Sequence, residues 1–384
     1  LSGKEVEKKE NDAPDPPLAP RPEKLLAATG LAGLKTIAFD FRNSDEGTLF
    51  ELFLGAPEAT RQGILKLLVG EAKEHRPPAF VPADAVKFQR WRLDGQKAWA
   101  ALEKMLGDVS PQFLATLNSI LDLANANTKQ KDPGFDIRRD LIGNLGDDMI
   151  SYEKAPRGGP GAEGEAASLF LLGSPNAEQL AESLKCIFAV ASAEGGAPAE
   201  REFLGRKIFS VPRPNVPLGL GNASKGGSRP KLNYAASSGY VAMSTDPALL
   251  EEFLRSSESQ GKTLRETPGL VEAAQMVAGS GSSLFGYENQ SETMRAELEA
   301  LKKDGGAAAN AALTSPLNGA LGVPTPQVNF KEWMDFSLLP TYEKVAKYFY
   351  FTVYGGGATV EGLTLKLFAP TPPGLKGTQN SSTK

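Results

Sequence analysis

The stretch LNYAASSGYVAMSTDPALLEEFL, residues Leu232 to Leu254, carries the clearest structural signal in the chain. On either side of Ser237–Gly239 the residues alternate with a period of two, which is the period of a half-buried strand. The Ser-Ser-Gly segment has turn chemistry, so the sequence predicts a β-hairpin. Asp246 is expected to cap the helix that follows, and Pro247 suits its first position, which needs no amide donor. The apolar stripe of this helix is Leu249, Leu250, Phe253 and Leu254.

The same order of strand, strand and helix recurs twice upstream, each time with a proline near the start of the helix. The upstream strands are Leu34–Phe41, Thr48–Leu54, Met149–Lys154 and Ser168–Leu172, and the prolines are Pro57 and Pro175. The order predicts a structural repeat; an accidental match is the alternative, since only element order and proline placement agree. Because hairpins dominate over parallel crossovers, we expect an α+β fold of repeated strand-strand-helix units, with antiparallel sheets covered on one face by helices.

Composition divides the chain into four parts. Residues 1–30 are charged and rich in proline, which is typical of a flexible linker. Two α+β domains are predicted, an N-terminal one at 31–154 and a C-terminal one at 155–370. A Pro/Gly insertion at 212–230 interrupts the second domain. Residues 371–384 are predicted to form a flexible tail.

Overall composition excludes several classes of protein. The 384 residues are 41% apolar, which is adequate for substantial cores, and the net charge is −4 with both signs scattered. Nucleic acid is therefore not an expected partner. No run of about 18 apolar residues is present, so we expect no membrane-spanning helix. The single cysteine, Cys186, excludes an internal disulfide, and its apolar helical surroundings favour a buried thiol over a reactive one.

The residue types that most often carry catalysis are scarce. His75 is the only histidine, and its place before two prolines favours a role at a helix end or in solvent over proton transfer. A histidine-based metal site is therefore not expected. The motifs G-x-S-x-G and G-x-x-x-x-G-K-[ST] are both absent. Gly355–Gly357 lies between two alternating segments and is interpreted as hairpin geometry.

Paired acids are the remaining candidates for chemistry. Asp147 and Asp148 fall in a Gly-Asp-Asp turn before a strand, and Glu251 and Glu252 fall on the polar side of a helix. A solvated surface is the favoured interpretation of both pairs. The alternatives are a weak calcium site near Asp147 or an enzyme pocket lined by Asp147, Asp148 or Arg138. We therefore predict no catalytic, cofactor-binding or metal-binding residues, and no cofactor.

One segment carries a resemblance to a known family. DIRRDLIGNLGDDMISYEK, residues Asp136–Lys154, joins a short helix to a glycine–acid turn and a strand. In this it resembles a family of exported bacterial envelope proteins of unknown function, common in planctomycetes and verrucomicrobia. The likeness covers roughly Leu34 to Pro370. Other segments that agree are Ala79–Trp99, Gly205–Pro212, Asn233–Leu254, Thr263–Gln275 and Leu339–Pro370. The resemblance implies a periplasmic or otherwise extracytoplasmic protein whose precursor carried an N-terminal signal or anchor, and it supplies no catalytic residues.

Three functions follow as hypotheses. The first is a non-catalytic envelope scaffold or accessory subunit, binding protein partners through the Pro/Gly-rich arms Pro14–Pro22, Pro212–Pro230 and Leu313–Gln327. Membrane association is then expected only through a missing N-terminal segment or a partner. The second is a module that binds an apolar ligand such as a lipid, favoured by the aromatic segment Tyr348–Tyr354. An enzyme is the third.

Overall fold

A computed structural model gives the fold of most of the chain. The structure describes residues 27–70, 73–130, 132–155, 166–191, 198–212, 231–256, 261–279, 282–302 and 335–375. The arms predicted at Pro14–Pro22 and Leu313–Gln327 lie outside the described residues, as does the insertion beyond Pro212.

The described strands form one sheet in which every neighbouring pair is antiparallel. The strands are β1 (Thr36–Asn43), β2 (Gly47–Gly55), β3 (Ala85–Trp91), β4 (Met149–Lys154), β5 (Ala167–Gly173), β6 (Ala199–Phe203), β7 (Arg206–Pro212), β8 (Lys231–Ser237), β9 (Tyr240–Ser244), β10 (Ser282–Glu288), β11 (Thr352–Ala358) and β12 (Leu363–Pro370). Their order is β1-β2-β12-β11-β10-β3-β4-β5-β9-β8-β7-β6. The chain therefore has the α+β character and the antiparallel pairing that the sequence predicts, but in one sheet where several sheets were expected.

The helices of the described ranges are α1 (Gly63–Leu67), α2 (Gly95–Val109), α3 (Pro111–Lys129), α4 (Ile137–Asp140), α5 (Ala177–Ala191), α6 (Pro247–Ser256), α7 (Leu270–Val277), α8 (residues 290–302) and α9 (Tyr342–Val345). Short 3-10 turns connect several of them, for example Leu264–Glu266 before α7 and Phe336–Leu338 before α9.

The hairpin and helix predicted at Leu232–Leu254 are present as β8, β9 and α6. Ser238 and Gly239 form the two-residue turn with φ of 53° and 78°, the left-handed pair that matches the twist of a hairpin. The Asp246 carboxylate accepts hydrogen bonds from the backbone amides of Ala248 (2.8 Å) and Leu249 (3.3 Å), so it caps α6 as expected.

Helices pack against both faces of the sheet, not against one face as predicted. Ala242 of β9 points to the face that α6 and α7 cover, which we call the α6 face. Val241, the preceding residue, packs with Leu180 of α5 on the opposite face, the α5 face. Successive residues of a strand point to opposite faces of the sheet. A strand that helices cover on both faces is therefore apolar at successive positions and not at alternate ones.

The sheet also joins the two predicted domains. The boundary expected between residues 154 and 155 falls between β4 and β5, which are paired neighbours. Strand β12, from the end of the described chain, lies between β2 and β11. Sheet pairing therefore does not separate residues 31–154 from 155–370.

Gly355–Gly357 lies inside β11 and not in a hairpin turn, which corrects the interpretation from sequence. The turn is formed by Thr359–Gly362, where the Thr359 amide donates to the Gly362 carbonyl at 2.8 Å. A Cβ added to Gly355 would lie 2.8 Å from the Val277 carbonyl oxygen. The glycine therefore allows α7 to pack closely on the sheet.

Gly355→Ala is expected to destabilise the protein by about 1–3 kcal/mol, because α7 must move away from β11. The matched control is Gly356→Ala in the same strand, where the nearest atom to the new Cβ is the Thr364 carbonyl oxygen at 3.3 Å. That change should destabilise the protein less, because the new Cβ needs only a few tenths of an ångström of adjustment. Urea unfolding of both variants measures the difference, and equal losses would contradict close packing of α7 as the cause.

Candidate functional site

Asp148 lies at the centre of the most buried charge cluster in the described chain, with 5% of its surface exposed. Arg90 donates two hydrogen bonds to its carboxylate, Nε to Oδ1 at 2.9 Å and Nη2 to Oδ2 at 2.7 Å. Arg92 Nη1 lies 2.9 Å from Oδ2, and the Tyr240 hydroxyl donates to the same oxygen at 2.8 Å. Both carboxylate oxygens are therefore occupied by protein donors.

Antiparallel register explains why these residues meet. Arg90 pairs across the sheet with Ile150 and Tyr240 pairs with Gly173, so the side chains of Arg90 and Tyr240 point to the α6 face. The arginines also hold the chain that crosses this end of the sheet. Arg90 Nη1 donates to the Arg76 carbonyl at 2.7 Å, and Arg92 Nε donates to the Glu74 carbonyl at 2.8 Å.

The electrostatics of the cluster favour fixed charges over proton transfer. Burial alone lowers the pKa of Arg90, but its hydrogen bonds and attraction to Asp148 outweigh burial and raise the pKa above the ordinary value. Burial, and then the negative charge of Asp148, raise the pKa of Tyr240 to about 12. Tyr240 therefore remains a hydrogen-bond donor at neutral pH. The arrangement is a clamp that ties β3 and β9 to the residue before β4.

Asp147 and Arg138, the other two residues of the hypothetical enzyme pocket, also form ion pairs with neighbouring side chains. Asp147 pairs with Lys73 at 2.5 Å, and this hydrogen bond lowers the pKa of Asp147. Arg138 donates to Glu103 and to Asn118, each at 2.9 Å. Asp147 thus points to a different partner from Asp148, and Arg138 joins neither of them.

Glu251 and Glu252 connect α6 to neighbouring strands. Glu251 accepts from Arg201 of β6 at 2.8 Å, and Glu252 accepts from Lys154 of β4 at 2.5 Å. The interpretation of these acids as a solvated surface is incomplete, because both residues face lysine or arginine side chains that arrive from distant positions in sequence.

His75 does not lie at a helix end, which corrects the prediction from sequence. Helix α1 ends at Leu67. The His75 ring lies 5.8 Å from the ring of Phe285, centroid to centroid. The side chain is half-buried, and its Nδ1 lies 3.2 Å from the Lys73 carbonyl oxygen.

Cys186 lies on α5 beside the core of the α5 face and is half-buried, not fully buried as expected. Its Sγ lies 3.4 Å from the Glu182 carbonyl oxygen of the preceding turn. The thiol therefore occupies an ordinary helical position with a local acceptor.

The C-terminal part of the aromatic segment that favoured a lipid cavity is packed into the core, whereas Tyr348 at its start is 55% exposed. Phe351 and Val353 are buried on the α6 face. Tyr354 points to the other face, where its ring occupies the space above Gly286: a Cβ there would lie 1.9 Å from the tyrosine Cζ. This strand therefore does not line an apolar cavity.

A small cleft lies where α7 ends above β11 and β12. Its volume is about 130 Å³, and Gly355–Gly357 forms part of its lining. Lys366 and Glu51 also line it, and their charged atoms lie 3.7 Å apart. Ligand pockets for small molecules usually hold about 300–1,000 Å³. The cleft is therefore too small to be a strong candidate for a substrate site.

The feature that sequence reasoning missed is an open apolar surface on the α5 face. We call it the bare apolar face and define it by Ile37, Phe39, Phe41, Phe50, Leu52, Leu365 and Leu367, from β1, β2 and β12. Phe39 is 76% exposed, and Leu365 and Leu367 are more than a third exposed. The α5-facing positions of these three strands carry no charged residue. The alternation in IAFDF, TLFELFL and LTLKLF contains the signal, but not the fact that these strands are neighbours.

Comparisons with protein-family models, with curated proteins and with solved structures found no match. Within the described ranges, no helix has both the length and the hydropathy needed to cross a bilayer. No group of three or more His, Cys, Asp or Glu in those same ranges is placed to hold a metal ion.

Asp148→Asn is expected to destabilise the protein by about 3–5 kcal/mol, because the buried guanidinium group of Arg90 and the half-buried one of Arg92 lose their counter-charge. Asp147→Asn is the matched control, since its partner Lys73 is exposed and such a pair contributes about 0–1 kcal/mol. Denaturant unfolding of the two variants tests the difference. Similar midpoints for Asp148→Asn and the unmodified protein would show that the cluster is not a structural clamp.

Proposed function

We propose that this protein is a non-catalytic scaffold or accessory subunit of the bacterial cell envelope, and that it binds a protein partner through the bare apolar face. The observation that carries the proposal is the exposure of a contiguous, uncharged apolar surface across three neighbouring strands. Surfaces of this kind commonly mark sites of interaction.

The energetics support a binding role. Phe39, Phe41 and Ile37 are each more than 60% exposed. Burying one such side chain at an interface contributes about 1.5–3 kcal/mol to the free energy of binding. A partner that covers this strand therefore gains substantial affinity from the hydrophobic effect. Exposed aromatic residues on a sheet face that carries no charged side chains also match the apolar centre of protein interfaces.

A non-catalytic role is supported by the use of the acidic residues. Asp148 is held by Arg90, Arg92 and Tyr240, and Asp147 is held by Lys73. A general acid or base needs an exchangeable proton near its working pH and access to a substrate. Both oxygens of the buried Asp148 carboxylate already accept hydrogen bonds from protein donors, so this carboxylate is not open to a substrate.

The envelope location rests on the family resemblance, and the single cysteine is compatible with it. The Pro/Gly-rich arms remain part of the proposal as further contact surfaces. We also propose that strand, strand and helix form a structural repeat, because β1-β2, β4-β5 and β8-β9 are hairpins that precede α1, α5 and α6 respectively.

An apolar ligand such as a lipid is the second candidate. The bare apolar face favours it as well, since acyl chains need apolar surface without charge. The surface is an open sheet face and not an enclosed cavity, so a ligand there would remain partly exposed to water. A protein partner covers such a face more completely.

A photo-crosslinking phenylalanine analogue at position 39 tests the proposal in the bacterium that produces the protein. We expect a covalent adduct to one predominant protein, because Phe39 projects from the bare apolar face. The matched control is the same analogue at Ala38, an exposed neighbour whose side chain points to the α6 face. It should give little adduct.

The mass of the adduct distinguishes the two candidates. An adduct at position 39 that adds only the mass of a lipid would replace the leading proposal by the second. Equal adducts at positions 38 and 39, or none at either, would overturn a role for this face.

A further inference from the structure

The two edges of the sheet differ in how they are protected. Strand β6 at one edge has five residues, and Glu200 and Arg201 are held in ion pairs with Lys185 (3.0 Å) and Glu251 (2.8 Å). Short, charged edge strands of this kind resist pairing with other chains. Strand β1 at the other edge has eight residues, all of them exposed.

Strand β1 presents the features of a strand that pairs with another. Within the described chain it has one neighbour, β2. Ser44 and Gly47 exchange both backbone hydrogen bonds at the hairpin turn. Because this pattern alternates along an antiparallel pair, the backbone groups of Phe39 and Phe41 are directed at the free edge. Apolar side chains and outward backbone groups thus lie on the same strand.

The charges of β1 indicate which strand it pairs with. Asp40 and Arg42 project from the α6 face and lie 2.5 Å apart, with their side chains 49% and 65% exposed. An exposed pair of this kind contributes little to stability and is easily exchanged for another partner. When two β1 strands pair antiparallel about a two-fold axis with Phe41 opposite its own counterpart, each Asp40 lies opposite the Arg42 of the other copy.

The adjacent registers lack this complementarity. Moving the centre of the pairing to Asp40 places two like charges directly opposite each other, which is unfavourable. Moving it to Phe39 places Asp40 opposite Ala38 and leaves both charges without a cross-strand partner. In the register centred on Phe41, Phe39 lies diagonal to Phe41 of the other copy, so the aromatic residues of the two strands also cluster.

We propose that a second copy of this chain pairs with the first through β1, antiparallel, with Phe41 at the two-fold axis and reciprocal pairs between Asp40 and Arg42. Such an interface is self-complementary, as a two-fold dimer requires. The inference rests on the proposed function, because Phe39 and Phe41 belong both to the bare apolar face and to the paired β1 edge. It goes further in naming the partner and the strand edge. The pairing joins the bare apolar faces of the two copies into one surface.

Charge exchange tests the pairing without changing the apolar residues. Asp40→Lys places a lysine opposite Arg42 of the other copy, and Arg42→Glu places a glutamate opposite Asp40, so each variant alone repels its own copy. We expect sedimentation equilibrium of the purified protein to show a dimer, and each variant to dimerise about tenfold or more weakly. An equimolar mixture of the two variants should restore the dimer, because both cross-strand pairs are then of opposite charge.

The double variant Asp40→Lys with Arg42→Glu is the matched control, since it exchanges the charges in one chain and should dimerise like the unmodified protein. A monomer at every concentration, a dimer that both single variants retain, or a mixture that does not restore association would each overturn the inference. A monomer that still crosslinks from position 39 to a different protein would leave the proposed function standing.

Discussion

The alternation of side chains across a fully antiparallel sheet is the constraint on which the structure depends. One row of cross-strand partners on the α6 face runs Ala242, Leu171, Ile150, Arg90, Phe285, Gly355, Lys366, Glu51 and Asp40. Apart from Arg90, the row changes from apolar to charged where α7 ends. The parallel row on the α5 face ends in Leu365, Leu52 and Phe39 and stays apolar to the edge. The second row therefore continues beyond the helices that cover it.

Local signals in the sequence predict the elements well, and the reason is physical. The unit at Leu232–Leu254 combines a two-residue turn, strand alternation and a capped helix, and all of these depend on neighbours within a few residues. Sheet order depends on pairing between distant segments. Periodicity cannot show that β12 lies beside β2, because any alternating strand satisfies the same pattern.

The same limit explains the errors at the candidate site. The polar neighbours of Asp148 in sequence indicate a solvated acid, whereas its partners arrive from positions 90, 92 and 240. Gly355–Gly357 has a composition that suits a turn as well as a strand, and the two are distinguished by pairing with the distant strand β10 and by the approach of Val277. The absence of catalytic motifs is visible in the sequence, since motifs are local. The open face is not, since it is a property of three strands together.

The position of β12 has a consequence for how the chain is assembled. The hairpin of β1 and β2 joins the rest of the sheet through β12, whose partner residues run from Leu363 opposite Leu54 to Pro370 opposite Gly47. During synthesis the hairpin is made well before its docking strand. Until β12 has left the ribosome, the hairpin lacks the strand that joins it to the rest of the sheet, and its water-avoiding side must be kept from other nascent chains. Loss of the last residues of β12 would release the first two strands, although they lie more than 300 residues earlier.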